Sequence, residues 1–280
     1  MENESQGYWI FQVRIYTVRL KTVRGRRVLR TIIQGDQAPN DEVRCFFQAK
    51  ENWMAFEIDV WVNEFLVKIE QLFGERLMFV GLQGSYNRGE ATDRSDIDMV
   101  VILDQVTPAD LRQYGAMLDG LPNRDKACGF ISGKQELMHW ERSDLFQLYH
   151  DTTPILGSLD DLIPAISRED VQRAIRLGAC NIYHICGHNL VHGKKAGTLR
   201  SLYKSATFTV QAIYFDQSGS YIKQKTELVP LLQPEEREFL QAAIVLKTKP
   251  ELAEDDFDHY ADLLFNWAAG VIKRYQPTMG

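Results

Sequence analysis

Asp96 and Asp98 open the apolar run Ile97-Asp98-Met99-Val100-Val101-Ile102-Leu103. A short run of this kind, rich in β-branched residues and almost unbroken by polar ones, reads as a strand buried on both faces. Residues two apart on a strand share a face, so both carboxylates point the same way with Cα atoms ~7 Å apart. Two like charges at the head of a buried strand are costly unless something cationic neutralises them. A second apolar run, Leu77-Met78-Phe79-Val80-Gly81-Leu82, precedes them and ends at a Gly84-Ser85 turn. Such a turn exposes backbone N–H groups and a hydroxyl, a donor set suited to phosphate oxygens. Paired carboxylates facing a phosphate cradle make a site for a hard divalent cation, since magnesium takes one or two carboxylates and completes its shell from substrate phosphates. In the alternative reading, Asp96 caps the strand and Asp98 pairs with Arg88 or Arg94.

The surrounding pattern organises the chain into an α+β part and an all-α part. Ile58, Trp61, Val62, Phe65, Leu66, Ile69, Leu72 and Phe73 fall at helical spacing, with Gly74 as the stop. Thr107 and Pro108 mark the start of a helix running to about Asp119, and Cys128 to Ser132 reads as a third strand. Beyond Pro154 the strand signals cease. Ser167 and Asp170 have capping-box spacing, and helical patterns cover 168–192, 198–215, 234–247 and 256–275. The expected organisation is a basic extension over 1–53, hairpin-like or poorly ordered, then a small mixed β-sheet domain over 54–155, then a helical bundle over 156–280. Within the extension, Arg24-Gly25-Arg26 supplies the turn of a hairpin over residues 8–33.

Charge and cysteine usage narrow the function classes. The net charge is −6, but residues 1–50 hold nine Lys/Arg against five Asp/Glu, leaving −10 for the remainder. An acidic body is unlike a duplex-binding surface, so a nucleic-acid role would rest on the basic N-terminal arm alone. The apolar runs fall far short of the ~20 residues that span a bilayer. The acidic Met-Glu-Asn-Glu-Ser start lacks the features of a secretory signal, and the expected location is the cytoplasm. Cys45, Cys128, Cys180 and Cys186 form no CxxC pair.

Gly84-Ser85, Gly89 and Ser95-Asp96-Ile97-Asp98, set between two apolar strands, resemble the signature of the DNA polymerase β-like nucleotidyltransferase superfamily. The resemblance implies Gly84 and Ser85 at the nucleotide phosphates, with Arg88 and Ser95 beside them, and Asp96 and Asp98 as ligands of one or two Mg²⁺ ions. A third carboxylate from a neighbouring strand usually completes such a site. The strand Cys128-Gly129-Phe130-Ile131-Ser132 carries no acid, so Glu136, which follows it, is the expected third member, ahead of Glu141 and Asp151.

The helical half resembles the domain appended to aminoglycoside nucleotidyltransferases of the streptomycin/spectinomycin type. There a Gly is followed shortly by a Lys that reaches the nucleotide phosphates; Gly219 and Lys225 are the counterparts, with one extra residue of spacing and Lys223 as the alternative. Lys204, on the helix before, is a second candidate. His184, His188 and His192 recur every four residues, a spacing that bundle helices carry without any metal. The expected activity is transfer of a nucleoside monophosphate, AMP from ATP by default, to a hydroxyl of an acceptor such as an aminoglycoside. Two alternatives stay open: protein or RNA as acceptor, and a non-catalytic or antitoxin-like protein that keeps the nucleotide-binding fold.

Overall fold

The computed structural model describes residues 5–11, 14–23, 26–31, 57–93, 95–249 and 252–276. It divides into two compact units, Met1–Glu57 and Ile58–Gly280. The first contains β1 (Ser5–Phe11), β2 (Arg14–Val23) and β3 (Arg26–Thr31) as an antiparallel meander. The expected hairpin is β2 and β3, paired from Val18↔Thr31 to Val23↔Arg26, and β1 adds a strand that the sequence pattern did not indicate.

The second unit begins with α1 (Ile58–Phe73), which buries Trp61, Phe65, Ile69 and Phe73, one residue every four along a single stripe. The Trp61 indole donates to Pro122 O at 2.7 Å. Phe65 stacks on Trp61 and meets Tyr114 edge-on. Tyr114 lies on α3 (Pro108–Asp119), whose Thr107 and Asp110 close a capping box. Arg76 donates to Asp110 and Asp104, which ties the chain entering β4 to the start of α3.

Between these helices, β4 (Leu77–Gln83) leads through a one-turn helix α2 (Gly84–Asn87) and a loop into β5 (Ile97–Leu103). Then α3 carries the chain over to β6 (Ala127–Gly133). Strand order is β6-β5-β4-β7, where β7 (Thr153–Leu156) is an antiparallel edge strand on β4. β5 runs antiparallel to β4 and parallel to β6, making the mixed sheet. All of β5 apart from Asp98 is buried, which explains its unbroken apolar sequence. Gly129 lies opposite Met99 with φ +135, and a Cβ there would run into the Met99 backbone. β7 was not legible because Pro154 sits inside it; an edge strand tolerates the missing N–H.

After β6 come α4 (Lys134–Met138) and α5 (Arg142–Asp151). The helical half is α6 (Arg168–His192), α7 (Ala196–Ser218), α8 (Lys225–Leu228), α9 (Pro234–Thr248) and α10 (Glu254–Arg274). The capping box expected at Ser167 and Asp170 is present. Its core is an aromatic stack: Tyr203 of α7 lies on Phe239 of α9 at 5.0 Å, and Phe239 on Trp267 of α10 at 4.4 Å. No helix among the described residues is long and apolar enough to cross a membrane.

Phe65 is fully buried between α3 and its own helix, so Phe65→Ala should cost about 3–5 kcal/mol of stability in a urea unfolding titration.

Candidate active site

β4 and β5 are paired so that Gln83 faces Asp98, which brings the turn after β4 beside the acidic head of β5. Gly84 has φ +76, and a Cβ on it would collide with Asp98 Oδ2. The glycine therefore serves two purposes: it adopts a left-handed backbone, and it lets the Asp98 carboxylate lie against the turn. The segment Gly84-Ser85-Tyr86-Asn87 is a short helical turn, closed by Arg88 N–H to Gly84 O at 3.2 Å and Glu90 N–H to Ser85 O at 2.9 Å. The first N–H groups of such a turn have no acceptor within it, and the Gly84 N–H is directed to the Asp151 carboxylate. Ser95 takes a supporting part: its Oγ accepts from Thr92 N–H at 2.9 Å and braces the loop that leads into Asp96.

Asp96 is exposed and Asp98 is half-buried. Burial raises the Asp98 pKa above the ordinary carboxylate value, Lys204 pulls it down, and the negative charge of Asp96 pushes it up again. The two acids thus sense each other, as the strand alternation requires. Lys204 acts on Asp98 from α7 and Arg88 acts in the same direction from the turn after β4, so both halves of the unit supply positive charge near this acid.

Lys204, Arg88, Thr207, Phe208, Gln211, Lys223 and Lys225 line one narrow cavity. Arg88 is buried, ion-paired with the buried Asp151 at the end of α5, and its guanidinium lies over the Phe208 ring at 5.5 Å. The Asn87 amide donates to Asp151 O at 2.6 Å, so Asp151 anchors two successive residues of the turn. Lys223 donates to Thr153 Oγ1 at 3.0 Å. Lys247, on α9, lies close enough to Lys225, Lys204 and Arg88 to feel their charge. Burial lowers the pKa of Lys223 and of Lys247, and neighbouring cations lower both further. Positive charge concentrated this way favours an anionic ligand.

Glu136 does not belong to this constellation, which corrects the expectation from sequence. Parallel register pairs Asp98 with Cys128 and Leu103 with Gly133. Glu136 follows Gly133, so it lies at the opposite end of the strands, about 16 Å along the sheet from Asp98. There its carboxylate packs against the Gly133 backbone. Opposite Asp98, where a neighbouring strand would present a third acid, stands Cys128, whose thiol hydrogen-bonds to the Asp98 carboxylate. No group of three His, Cys, Asp or Glu side chains able to hold a metal occurs among the described residues. His184, His188 and His192 are exposed on α6 and form no such group, although the rings of His188 and His192 are 4.6 Å apart. Lys247 and Glu90 are the members that sequence reasoning missed. Lys247 sits in no motif, and Glu90 lies inside the glycine-serine segment with nothing to distinguish it from a solvated loop charge.

Residues 62–177 match the model of the nucleotidyltransferase domain family. The chain carries a nucleotidyltransferase domain. The matched stretch runs from α1 into α6 and includes the whole four-stranded sheet, the Gly84 turn and both aspartates. Among solved structures, a spectinomycin adenyltransferase, AAD(9) from Enterococcus faecialis with ATP and spectinomycin, is similar at 16% identity over 75% of this chain and 98% of that one, with a TM-score of 0.49. No curated protein matches the sequence.

Within the nucleotidyltransferase domain, Asp151→Ala takes from the buried Arg88 its hydrogen-bonded partner and leaves only Glu90, 3.6 Å away; a loss of about 3 kcal/mol is expected in chemical denaturation. Gly84→Ala should keep the far-UV circular dichroism spectrum while lowering the melting temperature, because the new methyl group collides with Asp98 Oδ2 and the backbone is left-handed there.

Proposed function

We propose that the chain transfers a nucleoside monophosphate, AMP from ATP, to a hydroxyl of an acceptor. The observation that carries this reading is the convergence of Arg88, Lys204, Lys223 and Lys225 on one narrow cavity, with Lys204 and Arg88 also close enough to Asp98 to lower its pKa. Cations gathered near a pair of carboxylates suit a triphosphate bound with a divalent ion. The donor set fits magnesium: two carboxylates on one face of a strand head, with the remaining ligands left to phosphate and water. Asp96 and Asp98 would hold the ion, which when bound supplies charge stabilisation at the transferring phosphoryl group.

The chain's own groups do the rest. The Lys204, Lys223 and Lys225 ammonium groups bind and orient the triphosphate. Arg88, fixed by Asp151 and by the Phe208 ring, adds a charge that cannot swing away from the cleft. The acceptor oxygen bonds to the α-phosphorus and releases its proton to water as the bond to the β-phosphate oxygen breaks, and pyrophosphate leaves toward the cations. The sequence resemblance points to an aminoglycoside-like small molecule as acceptor, and the acidic body of the chain suits a cationic one.

Cys128 opposite Asp98 favours a second reading, a protein that binds the nucleotide without turning it over, because no acid stands there to take the acceptor proton.

Pyrophosphate release from each nucleoside triphosphate with Mg²⁺, against aminoglycosides, protein and RNA, separates the readings. Turnover with one acceptor, lowered at least a hundredfold in Asp98→Asn, is expected for the transferase. Mg²⁺-dependent nucleotide binding with no turnover on any acceptor would favour the non-catalytic protein, and no binding of any nucleotide would refute both.

A further inference from the structure

The cation cluster already grips an anion. Glu90, on the loop between α2 and β5, forms an ion pair through Oε2 with Lys225 Nζ, while Oε1 accepts the Lys225 backbone N–H at 3.1 Å. Arg88 Nε lies 3.6 Å from the same carboxylate. The Glu90 carbonyl accepts from Lys247 Nζ at 2.9 Å. One loop residue is therefore held from the start of α8, from the end of α9 and from the turn of its own domain.

An ammonium, a backbone N–H and a guanidinium around a carboxylate are the donors that also recognise a phosphate. The Lys225 side chain is only 17% exposed while it is paired this way, and Glu90 is 18% exposed. A phosphate brought to Lys225 with Glu90 in place would set two anions against each other in a partly desolvated cleft. Burial works against ionisation of Glu90, but its hydrogen bonds from Lys225 prevail and hold its pKa below the usual carboxylate value. The side chain stays charged and does not vacate the position by taking up a proton.

Resting on the reading of the cleft as a triphosphate site, we infer that Glu90 is a displaceable clasp: its carboxylate occupies the phosphate position at Lys225 in the empty cleft, and an incoming polyphosphate replaces it. The exchange frees the loop that continues through Thr92 and Ser95 to Asp96, so filling the phosphate site and arranging the acidic pair become one event. A Glu90 that instead served to aim Lys225 at the ligand would have the opposite signature, because its removal would weaken binding.

Isothermal titration of the full chain with Mg²⁺-ATP, and separately with inorganic tripolyphosphate, decides between these roles. Glu90→Gln, which keeps the side-chain volume, should bind both ligands at least fivefold more tightly than wild type, Glu90→Ala should do the same, and Lys225→Ala should bind both more weakly. Unchanged or weaker binding by the two Glu90 variants overturns the clasp and leaves the nucleotide reading intact if wild type binds ATP. Tighter tripolyphosphate binding by the variants, with no ATP binding by any form, supports the clasp and removes the nucleotide reading. If no form binds either ligand, both fall.

Discussion

Placing negative charge at the head of a buried strand obliges the rest of the molecule to supply positive charge nearby. Asp98 is half-buried and its ionised form is disfavoured by burial and by Asp96. Lys204 answers from α7, with Lys223 and Lys225 just beyond that helix. The helical half is thus an electrostatic complement to the sheet as well as a second core. Both halves lie in one compact unit.

Rigid packing keeps those charges where they are. Lys204 follows Tyr203 on α7, and Tyr203 is stacked on Phe239 and donates its hydroxyl proton to Tyr260 O at 2.9 Å. The aromatic stack from α7 through α9 to α10 therefore sets the position of Lys204 relative to Asp98. On the sheet side, β4 and β5 are central and buried, so the register that places Gly84 against Asp98 cannot slip without turning the apolar faces outward.

The cleft holds its charges in two different ways. Arg88 and Asp151 are buried together, and their pairing is structural: separating them leaves charge in a buried place. Glu90 and Lys225 lie on a loop and at a helix start, and their side chains are more exposed than those of Arg88 and Asp151. A fixed pair behind an exchangeable pair suits a site that must stay shaped while its anion changes.

The strands over 77–83 and 97–103, the capped helices beginning near Pro108 and Arg168, and the turn at Gly84 were all legible in the sequence, because apolar periodicity, caps and turn residues are local properties. β7 was not, since its pairing with β4 is long-range and Pro154 reads as a breaker. Glu136 was misassigned because nearness in sequence to the end of β6 says nothing about which end of that strand faces Asp98; only the parallel register decides it. Lys247 joins the site from the end of α9 and Glu90 from the loop before β5, and nothing in their local sequence distinguishes them from ordinary solvated charges. The sequence by itself determined which segments become strands and helices and that two acids must meet a cation. The tertiary structure decided which cations those are, because that choice depends on how the helices pack across the cleft, and packing is a property of the whole chain.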